Sequence, residues 1–313
     1  MAETDNYYTD TEEDYSEDVK PPQPRIPLRS GEAMHPEEVE TFLLARPARI
    51  VAVIGESFSG KTTLLASLYE RFTKGPFADL EFAGSRTIVG FEKRLHLSRV
   101  ESGSTTPDTD RTSLLEGLLH YHLALAPAND LERKMHLLLA DRAGEAYEQA
   151  RADSDKVAAL VELKRASRVV LLLDGTRLAE QAERAGAMQN TRQLIRALTD
   201  GGMLDTGSHV QIVTTKLDVL EKAHDYDSLA PHLANFNDQL RQSFRQKLKD
   251  ITFWDIAARD PLGKYQLGHG LDALLKDWIT PEPVNVEPGV VELPALVSEL
   301  DRLLTRTKMD ILP

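Results

Sequence analysis

The sequence predicts an α/β fold built on a mostly parallel sheet that carries helices on both faces. Short, largely apolar runs of the kind that form buried strands recur along the chain at Ile50–Ile54, Val169–Leu173, Val210–Thr214 and Ile251–Ile256. Helical patterns separate these runs, and strands that alternate with helices favour a parallel sheet. Two further runs, Leu118–Leu125 and Met135–Ala140, are joined by a short turn and predict one antiparallel edge strand.

Two helices are indicated by apolar residues at three- and four-residue spacing. In the segment Lys61–Phe72, one helical face carries Leu64, Leu65, Leu68 and Phe72. A second repeat of the same kind begins at Leu229 and continues to Leu248. The polar stretch between the first helix and Thr112 is too long for an ordinary connection, so we expect a functional loop there.

The composition divides the chain into three parts. Residues 1–45 are acidic at first and then rich in proline, which predicts a disordered arm because such a segment has little to bury. Residues 46–280 hold the alternating strands and helices and form the predicted folded domain. Residues 281–313 begin with prolines and end in a leucine repeat, which predicts a C-terminal helical extension.

The composition also excludes several classes of function. The 313-residue chain contains no cysteine, which excludes disulfides, thiolate zinc sites and cysteine nucleophiles and suits a reducing cytoplasm. A net charge of −13 argues against a general affinity for nucleic acid. No apolar run approaches the roughly 18 residues of a membrane span. Neither Ala2 nor the cysteine-free C-terminus offers a lipidation site, so we expect no membrane anchor.

A glycine-rich segment lies between the first predicted strand and the first predicted helix. Its two glycines flank four residues and are followed by lysine and threonine, the spacing of the P-loop or Walker A motif. The glycines let backbone N–H groups face phosphate oxygens, and the helix directs the positive end of its dipole at the same anion. We name Gly55–Thr62 the phosphate loop. With the residue after it, we expect it to contact a nucleotide through Gly55, Glu56, Ser57, Phe58, Ser59, Gly60, Lys61, Thr62 and Thr63.

Four residues have specific predicted roles in binding the phosphates and the metal ion, and two of them lie in the phosphate loop. We expect Lys61 to reach the β- and γ-phosphates and the Thr62 hydroxyl to ligate Mg²⁺. A second metal contact is expected from Asp141, because a carboxylate directly after a strand can hold Mg²⁺ through water. Gly144 follows three residues later and can offer its N–H to the γ-phosphate.

The base is indicated by Thr215–Asp218, a segment at the end of the third apolar run, which we name the guanine loop. The carboxylate of Asp218 can accept from both N1–H and the exocyclic amine of guanine, whereas adenine offers no matching pair of donors. The stem of Lys216 can cover the face of the base. After the last apolar run, the backbone N–H of Ala258 is expected to meet guanine O6.

In order and in strand context, these motifs resemble those of Ras-like and translation-factor-class P-loop GTPases over about Ile50 to Ile279. Asp141–Gly144 match the Asp-x-x-Gly of these families, and Thr215–Asp218 match their Asn/Thr-Lys-x-Asp in the threonine form. The expanded segment before Thr112 and the sequence Asp-Arg-Ala-Gly-Glu are more similar to bacterial double-GTPase families. The resemblance implies a cytoplasmic switch protein that binds GTP and Mg²⁺, hydrolyses GTP and serves a conflict, defence or signalling system.

The resemblance also implies switch residues. One is a threonine that closes over Mg²⁺, for which we choose Thr112; its competitors are Thr105, Thr106 and Thr109. Glu145 stands where Ras-like GTPases place the glutamine that orients the attacking water. Glutamate keeps an acceptor for that water but loses the amide donor, so we expect slow hydrolysis or help from a partner. The predicted catalytic residues are therefore Lys61, Glu145 and Thr112.

The sequence leaves several alternatives open. Arg111 and Arg142 can act as a built-in arginine finger or lie solvated on the surface. The phosphate loop also fits a P-loop kinase, although neither an arginine-rich lid nor an acceptor pocket is evident, or a GTP-binding scaffold without turnover. For a GTPase we expect a protein effector or regulator that senses the GTP state, with a nucleotide-dependent dimer as one arrangement.

Overall fold

The computed structural model describes residues 30–96, 114–260 and 263–281. Within these ranges one sheet contains seven strands, which are β1 (Arg49–Ile54), β2 (Leu80–Gly84), β3 (Leu119–Pro127), β4 (Met135–Asp141), β5 (Arg168–Asp174), β6 (His209–Thr215) and β7 (Asp250–Asp255). The α-helices of the same ranges are α1 (Pro36–Ala45), α2 (Lys61–Thr73), α3 (Ile88–His96), α4 (Gly144–Ala150), α5 (Ser154–Ala158), α6 (Gly175–Ala179), α7 (Gln181–Asp200), α8 (Leu217–Leu220), α9 (Tyr226–Phe244) and α10 (Leu271–Ile279). None of these helices has the length and apolar character needed to cross a membrane.

The strand order is β2-β3-β4-β1-β5-β6-β7, and neighbouring strands are parallel except where β3 pairs with β2 and β4. This confirms the predicted mostly parallel sheet with its antiparallel strand. The antiparallel strand lies one position in from the edge, because β2 pairs with its outer side. Sequence analysis missed β2, which buries only Leu80 and therefore carries a weak strand pattern.

Helices cover both faces of the sheet. Along β1, Ile50, Ala52 and Ile54 face one hydrophobic core, whereas Val51 and Val53 face the other. This alternation is that of a strand buried on both sides. Residues of α1, α4, α7 and α9 complete the first core, and residues of α2, α3 and α10 complete the second. The amphipathic repeat that begins at Leu229 is confirmed as α9, but the helix ends at Phe244, so Leu248 at the end of the predicted repeat lies beyond it.

Four parallel strands end at the same edge of the sheet. β1 ends just before Gly55, and the last residues of β4, β5 and β6 are Asp141, Asp174 and Thr215. In the strand register, Asp141 pairs with Val53 of β1, and Asp174 pairs with Thr215. Open α/β sheets bind ligands at this carboxyl edge. The fold therefore brings four separate stretches of sequence to one candidate site.

The N-terminal boundary of the folded part differs from the prediction. The sequence assigns residues 1–45 to a disordered arm, but α1 occupies Pro36–Ala45 and buries Val39 and Phe42. Just before α1, Met34 exchanges two backbone hydrogen bonds of 2.9 Å with His120 of β3. The acidic, proline-rich composition conceals this helix because few of its side chains are apolar and buried. Residues 1–29 and 282–313, which hold the rest of the predicted arm and the predicted extension, lie outside the described residues.

Truncating Phe42 tests whether α1 belongs to the folded domain. Phe42 is 0% exposed, so Phe42→Ala should lower the free energy of unfolding by about 3–5 kcal/mol. Leu44 of the same helix is 91% exposed, and Leu44→Ala should change that free energy by no more than about 0.5 kcal/mol. Urea unfolding of both variants and of the parent chain makes the comparison. Equal effects of the two substitutions would contradict the packing of α1.

Candidate functional site

The phosphate loop joins β1 to α2. Gly60 has a φ of 95° and caps α2, so the chain turns from the loop directly into the helix at Lys61. Phe58 has a φ of 64°, in the left-handed region where residues other than glycine are uncommon. These two residues curl the backbone of the loop, and the N-terminus of α2 adds the positive end of its dipole. The predicted anion cradle therefore has the expected strand-loop-helix setting.

The ammonium group of Lys61 lies against the phosphate loop. Its Nζ atom donates to the backbone carbonyls of Gly55 and Glu56, both at 2.9 Å. The residue is only 7% exposed, so its charge is held at the loop rather than in open solvent. Thr62 and Thr63 follow in the first turn of α2. The cation predicted to meet the phosphates is thus at the loop.

Two side chains fasten the guanine loop to the phosphate loop. Thr215 Oγ1 donates to the carbonyl of Ser59 at 2.9 Å, and Lys216 Nζ donates to the carbonyl of Phe58 at 2.9 Å. The Lys216 ammonium also forms an ion pair with Asp174 of β5 at 2.9 Å. The segments predicted to bind the phosphates and the base are therefore in direct contact.

Asp218, the predicted acceptor for guanine, lies in the first turn of α8 and is 4% exposed. Burial, and after it the nearby carboxylate of Asp260, raises the pKa of Asp218 above its usual range. A carboxylate that has lost solvent gains most from new hydrogen-bond donors. The N1–H and amine of guanine are donors of this kind.

The segment after β7 borders the guanine loop. The backbone N–H of Leu217 donates to the carbonyl of Ile256 at 3.1 Å, which joins α8 to the start of this segment. Ala258, the predicted contact for guanine O6, comes two residues later and accepts a backbone hydrogen bond from Gly268 at 3.0 Å. Arg259 turns toward α2, where its guanidinium contacts the Glu70 carboxylate at 3.2 Å. The backbone near Ala258 is thereby held from three sides.

Asp141, the predicted metal ligand, is fully buried at the end of β4. Its register partner in β1, Val53, precedes Gly55 of the phosphate loop by two residues. Within the described ranges, no group of three or more His, Cys, Asp and Glu side chains is arranged to hold a metal ion. One carboxylate and the Thr62 hydroxyl are nevertheless hard oxygen donors, and Mg²⁺ is commonly bound by one or two carboxylates together with substrate phosphates.

The helix α4 begins against the phosphate loop. Gly144 is its first residue, and a Cβ atom there would lie 2.3 Å from the backbone nitrogen of Ser57. Glu145 follows in the first turn and is partly buried. Arg142 is not a solvated side chain, because its guanidinium makes two 2.9 Å contacts with the buried carboxylate of Glu162; a role as an arginine finger would require this ion pair to break.

The predicted switch threonine, Thr112, lies outside the described residues. The same is true of Arg111 and of the three competing threonines, which are Thr105, Thr106 and Thr109. The first part of the stretch that was expected to be one long loop is folded, because β2 and α3 occupy Leu80–Gly84 and Ile88–His96.

Three carboxylates form contacts at the site that the sequence pattern does not reveal, including Glu56, which was expected only as a nucleotide contact. Asp174, which in the sequence is only part of an Asp-Gly turn signal, forms the ion pair with the guanine loop. Glu56 of the phosphate loop pairs with Arg151 at 2.9 Å and with Arg177. Glu148 of α4 accepts a hydrogen bond of 2.9 Å from a backbone N–H of the phosphate loop. The local sequence does not indicate these contacts, because the partner residues come from distant parts of the chain.

One protein family and several solved structures match this chain. The sequence model of the family described as Double-GTPase 2 matches residues 49–279. Among solved structures, a chain of the signal recognition particle receptor SRb-GTP/SRX complex from Chaetomium thermophilum matches with a TM-score of 0.37 and 16% identity. That match covers 69% of this chain and 94% of the other. No curated protein matches the sequence.

The Ski7 GTPase-like domain of S. cerevisiae also matches in two structures. The structure bound to GTP has a TM-score of 0.43 and 13% identity, over 80% of this chain and 54% of the Ski7 chain. The structure bound to GDP and inorganic phosphate has a TM-score of 0.43 and 15% identity, over 88% of this chain and 53% of the other. The chain thus spans about half the length of the Ski7 chains that it matches.

The contact between α6 and the guanine loop can be tested at Gly175. A Cβ atom there would lie 2.1 Å from the carbonyl oxygen of Thr215. Gly175→Ala must therefore push two backbones apart, and it should lower the free energy of unfolding by roughly 1–3 kcal/mol. Gly186→Ala in α7 is the control, because the nearest atom to its added methyl is 4.0 Å away. It should leave stability unchanged or raise it by up to about 1 kcal/mol. A Gly175→Ala protein as stable as the Gly186→Ala protein in urea would contradict this packing.

Proposed function

Because this chain belongs to the Double-GTPase 2 family, we propose that it binds GTP with Mg²⁺ at the carboxyl edge of the sheet and hydrolyses it to GDP and phosphate. The observation that carries this proposal is the direct bonding of the guanine loop to the phosphate loop through Thr215 and Lys216. A nucleotide that spans two loops needs them at a constant separation, and these bonds provide it. The family match supports the same activity.

For the base, we assign recognition to three groups. The Asp218 carboxylate accepts from N1–H and the exocyclic amine of guanine, and the Ala258 N–H donates to O6. Lys216 supplies its aliphatic stem to the face of the base. Its ammonium is held by both Phe58 and Asp174, which limits the directions that the stem can take.

For the phosphates, Lys61 exchanges the carbonyls that it now contacts for β- and γ-phosphate oxygens. The N–H groups of Ser57 and Ser59 donate to Glu148 and to the Glu56 carbonyl, so the other N–H groups of the loop and the dipole of α2 would surround the anion. The Thr62 hydroxyl and the Asp141 carboxylate are the residues that would hold Mg²⁺. The ion supplies charge neutralisation on the β- and γ-phosphate oxygens.

For hydrolysis, we assign Glu145 to the attacking water, with Gly144 offering its N–H to the γ-phosphate and Thr112 serving as the switch threonine. The Glu145 carboxylate accepts a hydrogen bond from the water and orients it. It has no amide donor for the phosphate side, and its charge opposes the approach to an anion. Slow turnover, or turnover stimulated by a partner, follows from this chemistry.

The output that we propose is a change in switch-loop order between the GTP and GDP forms, sensed by a protein effector or regulator. A nucleotide-dependent dimer of this chain is one form that such a partner can take. The resemblance to bacterial double GTPases supports a cytoplasmic conflict, defence or signalling system as the setting.

Base identity is tested by Asp218→Asn. Asparagine cannot accept from both guanine donors, but it can accept from N1–H and donate to the C2 carbonyl of xanthine. Because a buried polar group left without its partner is costly, GTP affinity should fall by several powers of ten while XTP affinity rises. Asp260→Asn is the control, because Asp260 neighbours Asp218 but has no assigned base contact; it should keep the preference for GTP.

Competition binding with GTP, XTP and ATP on the parent chain and both variants gives the answer. A parent chain that prefers ATP would support the kinase alternative instead. If the Asp218→Asn protein still prefers GTP to XTP, Asp218 does not bind the base.

Turnover is tested by phosphate release at saturating GTP. Glu145→Ala should lower the multiple-turnover rate, whereas Glu145→Gln should raise it because the amide restores a donor without the negative charge. Lys61→Ala should lose tight binding of GTP. Loss of phosphate release in this variant would show that the activity depends on the phosphate loop. If neither Glu145 substitution changes the rate of phosphate release, the Glu145 side chain lies away from the attacking water. A parent chain that binds GTP without releasing phosphate would be a scaffold rather than an enzyme.

A further inference from the structure

One face of α4, continued by the residue after it, lies on the phosphate loop. Gly144, Glu148 and Arg151 follow one another at four- and three-residue spacing, which is the repeat of a single helical face. Gly144 packs its backbone against the nitrogen of Ser57. Glu148 Oε1 accepts from the Ser57 N–H at 2.9 Å, and Arg151 pairs with Glu56 at 2.9 Å. All three residues of this face therefore meet adjacent residues of the loop.

The carboxylate of Glu56 is held from a second side by Arg177 of α6. The Glu56 side chain is 19% exposed, and the side chains of Arg151 and Arg177 are 19% and 28% exposed. Ion pairs in such a partly desolvated place hold their geometry better than pairs on an open surface. Arg177 also pairs with Glu183 at 3.2 Å, which limits its own movement. Glu56 is consequently a fixed point to which α4 is attached.

The orientation of α4 depends on these contacts. The helix has only seven residues, and a helix of that length is not stable without tertiary contacts. Glu145 and Glu148 are three residues apart and so are neighbours on the helix surface. A rotation of α4 that broke the bond between Glu148 and Ser57 would therefore also change the position of the Glu145 carboxylate.

We propose that Glu148, together with the Glu56–Arg151 ion pair, positions α4 for the hydrolytic step. These contacts hold the Gly144 N–H and the Glu145 carboxylate toward the place of the γ-phosphate. The inference rests on the proposed GTPase activity and deepens it by naming the residues through which Glu145 acts. Glu148 works through its acceptor oxygen, so glutamine at this position should serve nearly as well as glutamate.

Single-turnover GTP hydrolysis, measured with protein in excess, tests the proposal together with the Kd values for GTP and GDP. In Glu148→Ala the hydrolysis rate should fall roughly 10- to 100-fold, because a misplacement of about 1 Å has effects of that size. Both Kd values should stay within about threefold of those of the parent chain, since the proposed complex assigns Glu148 no contact with the nucleotide. Glu148→Gln should recover most of the rate. Gln149→Ala, an exposed neighbour on the same helix, should match the parent chain.

A second variant tests the ion pair directly and remains informative if the Glu148→Ala protein does not fold. Arg151→Met removes the charge but keeps much of the apolar stem, and it should lower the rate with little change in either Kd.

Three results would overturn the positioning role. These are an unchanged rate in both Glu148→Ala and Arg151→Met, a loss of GTP affinity as large as the loss of rate, and tighter GTP binding at an unchanged rate. A parent chain that binds GTP without hydrolysing it would overturn the proposed enzyme activity and this inference together. A hydrolysing parent chain with unaffected variants would overturn the inference alone.

Discussion

The carbonyl groups of the phosphate loop constrain the rest of the site. A loop whose N–H groups face an anion turns carbonyl oxygens the other way, where they can accept from neighbouring segments. Lys61 donates to the carbonyls of Gly55 and Glu56, contacts that it would exchange for phosphate oxygens in the proposed complex, whereas the guanine loop donates to the carbonyls of Phe58 and Ser59. The same hydrogen bonds that satisfy the phosphate loop therefore hold the guanine loop beside it. In the proposed site, base recognition and phosphate binding therefore depend on the same hydrogen bonds, and a movement that separates the two loops breaks them.

Close backbone packing reinforces this arrangement at two glycines. Gly144 brings α4 onto the phosphate loop, and Gly175 brings α6 onto the guanine loop, each at a distance that leaves no room for a Cβ atom. Protein interiors deform little, so contacts of this kind transmit a displacement rather than absorb it. Glu56 completes the connection, because one of its partners, Arg151, follows α4 and the other, Arg177, belongs to α6. The phosphate loop, α4 and α6 are consequently connected both by close backbone packing and by ion pairs.

Those parts of the molecule that depend on local sequence were predictable, and those that depend on distant contacts were not. The strand from Ile50 and the glycine spacing of the phosphate loop can each be recognised from a few consecutive residues, and the structure contains both. The helix α1 escaped prediction because acidic residues and prolines outweigh the two side chains that it buries. Arg142 was expected at a surface or a phosphate, but its partner Glu162 lies twenty residues away along the chain. Glu148 belongs to no sequence motif, because its proposed role depends only on its contact with the phosphate loop, which is distant in sequence.

The charge of the chain raises a final question, because a protein with a net charge of −13 is expected to repel a polyanion. At an effective dielectric constant of about 20, one unpaired carboxylate roughly 8 Å from a phosphate charge would cost about 2 kcal/mol. Two of the carboxylates closest to the phosphate loop are paired within the protein. Glu56 is bound by Arg151 and Arg177, and Asp174 is bound by Lys216. Asp141 is buried at the end of β4, where in the proposed complex its carboxylate would face a divalent cation that arrives with the nucleotide. The pairing of Glu56 and Asp174 thus reduces the repulsion that these two carboxylates would otherwise exert on a bound phosphate, whatever the net charge of the chain.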